Sequence, residues 1–287
     1  MAIRIKFTKM QSLGNDFVAL DLVSQNMKLN EKLITRLANR QFGIGCDQVL
    51  TLEPPRNAKA DFLYRVYNAN GQEVGQCGNG ARCIARLAKD NHLLFRQTCL
   101  LETQNNLMQV DFLDAHRIQV NMPAPRFASA DIPTSLPSAG PQGHLLPFDK
   151  ENRRAFLVSI GNPHCIFFVP SLQQSNFARI AEQLQKDTAL FPQGVNVSFA
   201  KVNAKNNISM QTYERGVGLT LACGSAACAA VVAGISNKEL GSTVRVDFNH
   251  GNLTVHWPGG DQPIQLIGTA LSTFRGYFVL NSVEPAY

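Results

Sequence analysis

Hydrophobic positions along this chain follow two rhythms, a period of two that recurs many times and two denser runs of small apolar residues. Residues 3–7 alternate as a half-buried strand does and lead into the turn signal Gly14-Asn15-Asp16. Residues 18–23 read as a second strand. Asn30 is placed to cap a helix over 31–39, with Leu33, Ile34 and Leu37 on one face. Gly43-Ile44-Gly45 breaks that pattern, and strand character returns over 46–52. Pro54-Pro55 marks a loop, 62–67 a strand and 68–71 a tight turn. A first central helix opens at Cys77. Residues 107–120 alternate with a break at Asp114-Ala115, the pattern of a hairpin.

Six of the fourteen prolines then fall between Pro123 and Pro147, which predicts an interdomain connection with a long surface loop. Beyond it, strands are expected over 155–160, 195–200 and 208–213, a helix over 177–185, and a turn at Gly161-Asn162-Pro163-His164. A second central helix follows Cys223. Residues 243–248 and 253–257 form a hairpin pattern, with one or two more strands from Ile264.

The two dense runs share a heading. Residues 76–83 read QCGNGARC and residues 222–228 read ACGSAAC, with Cys77 and Cys223 separated by 146 positions. In that register Tyr67 matches Tyr213, and Asn106-Leu107 matches Asn252-Leu253. Gly14-Asn15 matches Gly161-Asn162 at an offset of 147, and Gln48 matches Asn196 at 148. Ordered landmarks at a nearly constant offset this long indicate a duplicated domain, not a solenoid. Strands outnumber helices, and hairpin alternation implies mixed or antiparallel sheets. The expected fold is therefore α+β: two pseudo-symmetric domains from an internal duplication, each a mostly antiparallel or mixed β-sheet wrapped around one central α-helix.

Composition narrows the function classes. The chain has 287 residues, about two domains at roughly 150 residues each. The net charge is +6, yet Arg153-Arg154 is the only adjacent basic pair, so no nucleic-acid or membrane surface is indicated; an anionic small-molecule substrate fits better. The uncharged stretch 219–235 approaches a membrane span in length, but its Gly, Ser and Ala content suits a buried helix. Seven cysteines, an odd number, and a first segment read as a strand and not a signal peptide argue for reduced thiols in the cytosol. No Cys-x-x-Cys or His-x-x-x-His spacing supports a metal site. Cys46, Cys83, Cys99, Cys165 and Cys228 read as small buried hydrophobes, with Cys46, Cys99 and Cys165 flanking strands.

Cys77 and Cys223 differ from those five because each precedes a glycine at a helix start. Free backbone N–H groups and the positive end of the helix dipole favour a thiolate there. Two such thiols facing one substrate can invert a carbon centre, one removing a proton and the other delivering one to the opposite face. Backbone N–H groups around Gly78-Asn79 and Gly224-Ser225 would cradle an adjacent carboxylate. A pair of this kind titrates as a unit. Asn15, Asn68, Asn162 and Asn196 lie at strand–turn junctions, where turn chemistry alone also explains them. On its own, His164 reads as a satisfied structural histidine and Glu214-Arg215 as an exposed pair.

The segments GNDFV (14–18), GIGCDQ (43–48), YNANG with QCGNGARC (67–83), GNPH (161–164), GVNV (194–197) and YERGVG with ACGS (213–225) resemble the diaminopimelate epimerase family. The resemblance implies interconversion of LL- and meso-diaminopimelate with no cofactor and no metal, with Cys77 and Cys223 as the acid/base pair. It implies substrate contacts at Asn15, Gln48, Asn68, Gly78, Asn79, Asn162, Asn196, Glu214, Arg215, Gly224 and Ser225, with His164 and Glu214 tuning the thiols. It further implies a cytoplasmic homodimer in lysine and peptidoglycan-precursor synthesis, and a domain division of 1–121 plus 268–287 against 122–267. Gln11-Ser12, Leu219 and Ala226 depart from the family's usual residues. Rival readings are a proline racemase or hydroxyproline epimerase of the same fold, a cysteine hydrolase using Cys223 with His164, and a non-catalytic anion-binding protein. Arg215, able to hold a distal carboxylate bidentately, favours a diamino diacid over proline.

Overall fold

A computed structural model describes residues 3–75, 77–104, 106–138, 143–148 and 150–280. Gln76 of the first cysteine motif, residues 139–142 of the proline-rich stretch, and Met1 and Ala2 of the first segment lie outside the described residues. In chain order the elements are β1 (Ile3–Ser12), β2 (Asn15–Asp21), α1 (Glu31–Ala38), β3 (Gln48–Glu53), β4 (Phe62–Asn68), β5 (Glu73–Val74), α2 (Gly78–Asp90), β6 (Thr98–Glu102), β7 (Leu107–Phe112) and β8 (Ile118–Met122). Then come β9 (His144–Phe148), β10 (Glu151–Ser159), β11 (Pro163–Phe168), α3 (Phe177–Lys186), β12 (Asn196–Ala204), β13 (Asn207–Glu214), β14 (Gly218–Thr220) and α4 (Gly224–Ser236). The series closes with β15 (Thr243–Phe248), β16 (Gly251–His256), β17 (Ile264–Gly268) and β18 (Leu271–Leu280). The chain divides into two compact units, Met1–Val120 with Gly268–Tyr287, and Asn121–Ile267.

In the first unit the strands pair in the order β18-β1-β2-β3-β4-β6-β7-β8, with β5 beside β4. Among the described residues, β2–β3 and β4–β6 are the pairs that run parallel. The sheet touches α2 through β1, β2, β3, β4, β7 and β18, so it bends around that helix. Residues 78–85 of α2 are buried without a break, with Asn79 and Arg82 among otherwise small or apolar side chains. The opposite face of β1 to β4 packs Val18, Leu20, Val49 and Tyr67 against Ile34 and Leu37 of α1. α1 starts where expected, with Asn30 Oδ1 accepting from Leu33 N at 2.9 Å.

The second unit repeats the plan strand for strand, in the order β9-β10-β11-β12-β13-β15-β16-β17 with β14 beside β13. Its parallel pairs are β11–β12 and β13–β15. α4, buried over residues 226–234, takes the place of α2 and touches β10, β11, β12 and β16. α3 takes the place of α1, over a core in which Phe177 and Phe199 stack at 3.9 Å between centroids. The last strand, β18, holds in the first unit the place that β9 holds in the second. The duplicated α+β fold is thus present in every paired strand.

Three expectations needed correction. The proline-rich stretch contains a strand, β9, whose Pro147 sits where only one neighbour, β10, is paired; proline is tolerated on a strand with a free edge, so its presence hid the element. GNPH is not wholly a turn: Pro163 opens β11, a position where no ladder donor is required, and His164 follows inside the strand. Cys99 and Cys165 lie within β6 and β11 instead of flanking them.

The tightest constraint on a helix start is at Gly80. A Cβ there would lie 2.2 Å from the Tyr64 hydroxyl, which donates to the Cys77 carbonyl at 3.0 Å. The corresponding positions in the second unit are Met210, opposite Ala200 in β12, and Ala226. No tyrosine hydroxyl stands at 210, so no such contact bars a Cβ at 226. Alanine normally favours a helix interior over glycine, so the sign of Gly80→Ala tests the contact. Urea unfolding is expected to show a loss of about 1–3 kcal/mol from overpacking, and a smaller loss when Tyr64→Phe is also present. Equal losses in both backgrounds would rule the contact out as the cause.

Candidate active site

Each half-site begins on a cysteine that is the N-cap of its central helix. Cys77 is extended (φ −143°, ψ 115°), and its sulfur accepts from Gly80 N at 3.4 Å. Cys223 is likewise extended (φ −123°, ψ 116°), with Sγ 3.5 Å from Ser225 Oγ. An N-cap is where a side-chain acceptor meets otherwise unsatisfied N–H groups, and at Cys77 sulfur replaces the usual oxygen. Cys77 is half-buried, whereas Cys223 is only 6% exposed.

Around Cys77 the polar side chains come from four elements. A two-residue hairpin joins β1 to β2, with both Leu13 and Gly14 at positive φ (54° and 83°), and sets Asn15 at the head of β2. Asn79, buried in the first turn of α2, donates through Nδ2 to Asn15 Oδ1 at 3.3 Å. Gln48 and Asn68 face each other across β3 and β4, with Gln48 Nε2 donating to Asn68 Oδ1 at 2.9 Å. Tyr64 is fully enclosed; burial pushes its phenol well above the ordinary range, so it stays a donor.

The second half-site mirrors this pattern with different atoms. Asn162 Nδ2 lies 3.4 Å from Ser225 Oγ, the counterpart of the Asn15–Asn79 bond. Asn196 accepts from the Arg215 backbone N–H at 2.9 Å, which ties β12 to the turn after β13. The Arg215 side chain is exposed, lies over Gly194 and donates to the Gln193 carbonyl. His164 is opposite Asn196 in the ladder, at the register position that Phe17 holds opposite Gln48. Its Nε2 lies 3.0 Å from Asn162 Oδ1, which assigns the proton to Nε2, and its buried Nδ1 has no hydrogen-bond partner. Burial, helped by the charge of Arg215, brings His164 down to about 3, so the ring is neutral at physiological pH.

Burial also raises the Cys223 thiol well above its ordinary value, the negative charge of Glu214 adds to this, and the Ser225 hydroxyl opposes it. The dipole argument alone would have lowered it; desolvation outweighs the dipole at this nearly enclosed sulfur. Burial likewise lifts Cys46, Cys83 and Cys99 to about 12 and Cys165 higher still, as inert packing thiols require.

Every sequence-indicated residue of the first set (Asn15, Gln48, Asn68, Gly78, Asn79) lies in the first unit with Cys77. Asn162, His164, Asn196, Glu214, Arg215, Gly224 and Ser225 all lie in the second with Cys223. Sequence reasoning overlooked Tyr64 and Arg82. The signals were present: an arginine within the run of small residues that opens the helix, and a glycine inside that helix facing a strand tyrosine. Leu219 is exposed on β14 opposite Tyr213. Among the described residues, no group of three or more His, Cys, Asp or Glu side chains is arranged to hold a metal ion, and no helix is long and apolar enough to cross a membrane.

A duplicated fold in which a sheet bends around one central helix per copy defines a structural class. The fold is shared with a hydroxyproline epimerase from Agrobacterium vitis (TM-score 0.70, 12% identity, 96% of this chain and 93% of that chain). It is shared too with a PhzF-family phenazine biosynthesis protein from Bacillus anthracis (TM-score 0.69, 15% identity, 97% and 100% of the two chains). Within that class the family described as diaminopimelate epimerase matches residues 7–128 and 156–271. The diaminopimelate epimerase of Teredinibacter turnerae is 40% identical over 274 residues, covering 96% of this chain and 99% of the relative. That of Nitrosospira multiformis is 39% identical over 274 residues, covering 96% and 98%. The chain belongs to the diaminopimelate epimerase family.

The difference in exposure and charge between the two thiols has a direct readout. Under iodoacetamide at pH 8, peptide mass spectrometry should show Cys77 alkylated before Cys223. Glu214→Gln should speed alkylation of Cys223 about three- to tenfold by removing the charge that disfavours its thiolate. An unchanged or slower rate at Cys223 would remove Glu214 from this role.

Proposed function

We propose that this protein interconverts LL- and meso-2,6-diaminopimelate by proton transfer between two cysteines, Cys77 and Cys223, with no cofactor. The observation that carries the reading is the pairing of two cysteine-capped helix starts, one in each copy of a duplicated fold, in a chain of the diaminopimelate epimerase family. In one direction a cysteine thiolate takes the α-proton, the C–H electron pair passes into the adjacent carboxylate, and the other cysteine's thiol returns a proton to the opposite face. The second cysteine is left as thiolate, ready for the reverse direction. N–H groups at Gly78-Asn79 and Gly224-Ser225 stabilise the charge that develops on the carboxylate.

Asn15, Gln48, Asn68, Asn162, Asn196, Glu214 and Arg215 hold the rest of the substrate, with the Arg215 guanidinium able to bind the distal carboxylate. Neutral His164, through Asn162, and Glu214, beside Cys223, adjust the second thiol. A cysteine hydrolase would instead want His164 on the sulfur, whereas its Nε2 is engaged with Asn162. The same reading makes the protein a cytoplasmic homodimer in lysine and peptidoglycan-precursor synthesis. The exposed Leu271, Phe274, Tyr277 and Val279 along β18 are consistent with self-association.

Incubation with LL-diaminopimelate in D2O should give α-deuterium uptake and meso product. Cys77→Ser and Cys223→Ser should each lower epimerisation by on the order of 10²–10⁴-fold, as loss of a general acid or base does. Full epimerase activity in either variant would end the two-base reading.

A further inference from the structure

Among the described residues, Arg82 is the one charged side chain fully enclosed in the first unit's core, at 0% exposure, one helical turn beyond Asn79. A buried guanidinium cannot shed its charge and must be met by acceptors. Its Nη2 donates to Asn79 Oδ1 at 2.6 Å and to Ser12 Oγ at 2.9 Å, and its Nε to the Thr269 carbonyl at 3.4 Å. The Ser12 hydroxyl donates in turn to that same carbonyl at 2.8 Å. The second unit has Cys228 at the matching helix position, so this cation has no counterpart there.

The consequence runs through two amides. Arginine only donates, so Asn79 must turn Oδ1 toward it and Nδ2 away, and Nδ2 donates to Asn15 Oδ1 at 3.3 Å. Asn15 is then left with Nδ2, which donates to Asp47 Oδ2 at 3.0 Å. An aspartate carboxylate only accepts, so the far end is fixed in the same sense. Asp47 is itself held by Arg40 at 2.8 Å and by the Asp16 backbone N–H at 3.1 Å. Flipping either amide would set NH2 against guanidinium at one end or C=O against carboxylate at the other. Each amide keeps one further N–H, and N–H groups are what a carboxylate requires. In the second unit the same task falls to a different group: His164 Nε2 donates to Asn162 Oδ1 and turns Asn162 Nδ2 toward Ser225.

We propose that Arg82 and Asp47 are positioning residues: a donor-only and an acceptor-only terminus that fix the orientation of the Asn79–Asn15 amide pair, so that this half-site presents N–H donors to a substrate carboxylate. The activity arm of this inference rests on the proposed function, in which Asn79 and Asn15 contact diaminopimelate. The amide-orientation arm does not depend on it.

Four variants separate hydrogen-bonding character from size. Arg82→Met and Asp47→Ala remove the donor and the acceptor, while Arg82→Lys and Asp47→Asn retain one. The first two are expected to lower kcat/KM for LL-diaminopimelate about tenfold or more, and the second two to stay within about threefold, as a loss of orientation predicts. In 15N-labelled protein without ligand, the side-chain NH2 resonances of Asn79 and Asn15, assigned through Asn79→Asp and Asn15→Asp, should move in Arg82→Met and Asp47→Ala. They should stay near the parent positions in Arg82→Lys and Asp47→Asn. Unmoved resonances in Arg82→Met and Asp47→Ala overturn the inference, as does an Arg82→Lys loss equal to that of Arg82→Met. If the parent shows no epimerase activity, the proposed function has failed and the resonances alone decide this inference. If Arg82→Met does not fold, the half-exposed Asp47 decides it: unchanged kcat/KM and Asn15 resonance in Asp47→Ala overturn it.

Discussion

A helix start enclosed in protein leaves N–H groups that must find acceptors, and the design of both half-sites follows from that requirement. Oxygen from Ser, Asp or Asn is the common solution; the first helix uses the sulfur of Cys77 at the cap, while Cys223 holds the same position in the second with its sulfur beside Ser225 Oγ. Sulfur accepts an N–H weakly as a thiol and more strongly as a thiolate, so the cap is coupled to the protonation state of the group that caps. The sheet bent around each helix closes its flanks with apolar contacts and leaves the capped end for chemistry. Tyr64 secures the first of these ends through the Cys77 carbonyl, and Gly80 leaves the room it needs.

The duplication conserves topology more strictly than chemistry. Strand order, parallel pairs and helix positions coincide in the two units, while the residues facing the helix starts diverge. Phe17 answers to His164, Tyr64 to Met210, Gly80 to Ala226 and Arg82 to Cys228. Each exchange is locally compensated. A large hydroxyl demands a glycine, a buried cation demands an amide oxygen, and a buried imidazole stays neutral and demands one as well. Two copies can therefore drift apart in side chains while each still joins an asparagine, Asn15 or Asn162, to the first turn of its cysteine-bearing helix, at Asn79 in one and Ser225 in the other.

That divergence gives the two thiols different surroundings. Cys223 is nearly enclosed and sits near the Glu214 charge, which holds it protonated; Cys77 is half-buried with a backbone N–H on its sulfur. In the proposed reaction the two thiols trade roles, and they need not be alike at rest to do so.

Much of this was legible in the residues themselves. The 146-residue register between Cys77 and Cys223 exposed the duplication because a repeat of landmarks survives where side-chain identity does not. Helix starts were legible because capping is local: Asn30 and Leu33, or Cys77 and Gly80, lie within four residues of one another. β9 and the true extent of β11 were hidden because proline is read as a breaker, and only the pairing of both strands with β10 reveals them. Arg82, Tyr64 and Asp47 were hidden for the same kind of reason. Their meaning lies in contacts across 3 to 187 positions of sequence, such as Arg82 to Asn79 and to Thr269, and no local pattern encodes where a buried donor will find its acceptor. The direction of the Cys223 shift also waited on tertiary structure, since a helix dipole can be read from sequence but desolvation is set by what closes over the sulfur.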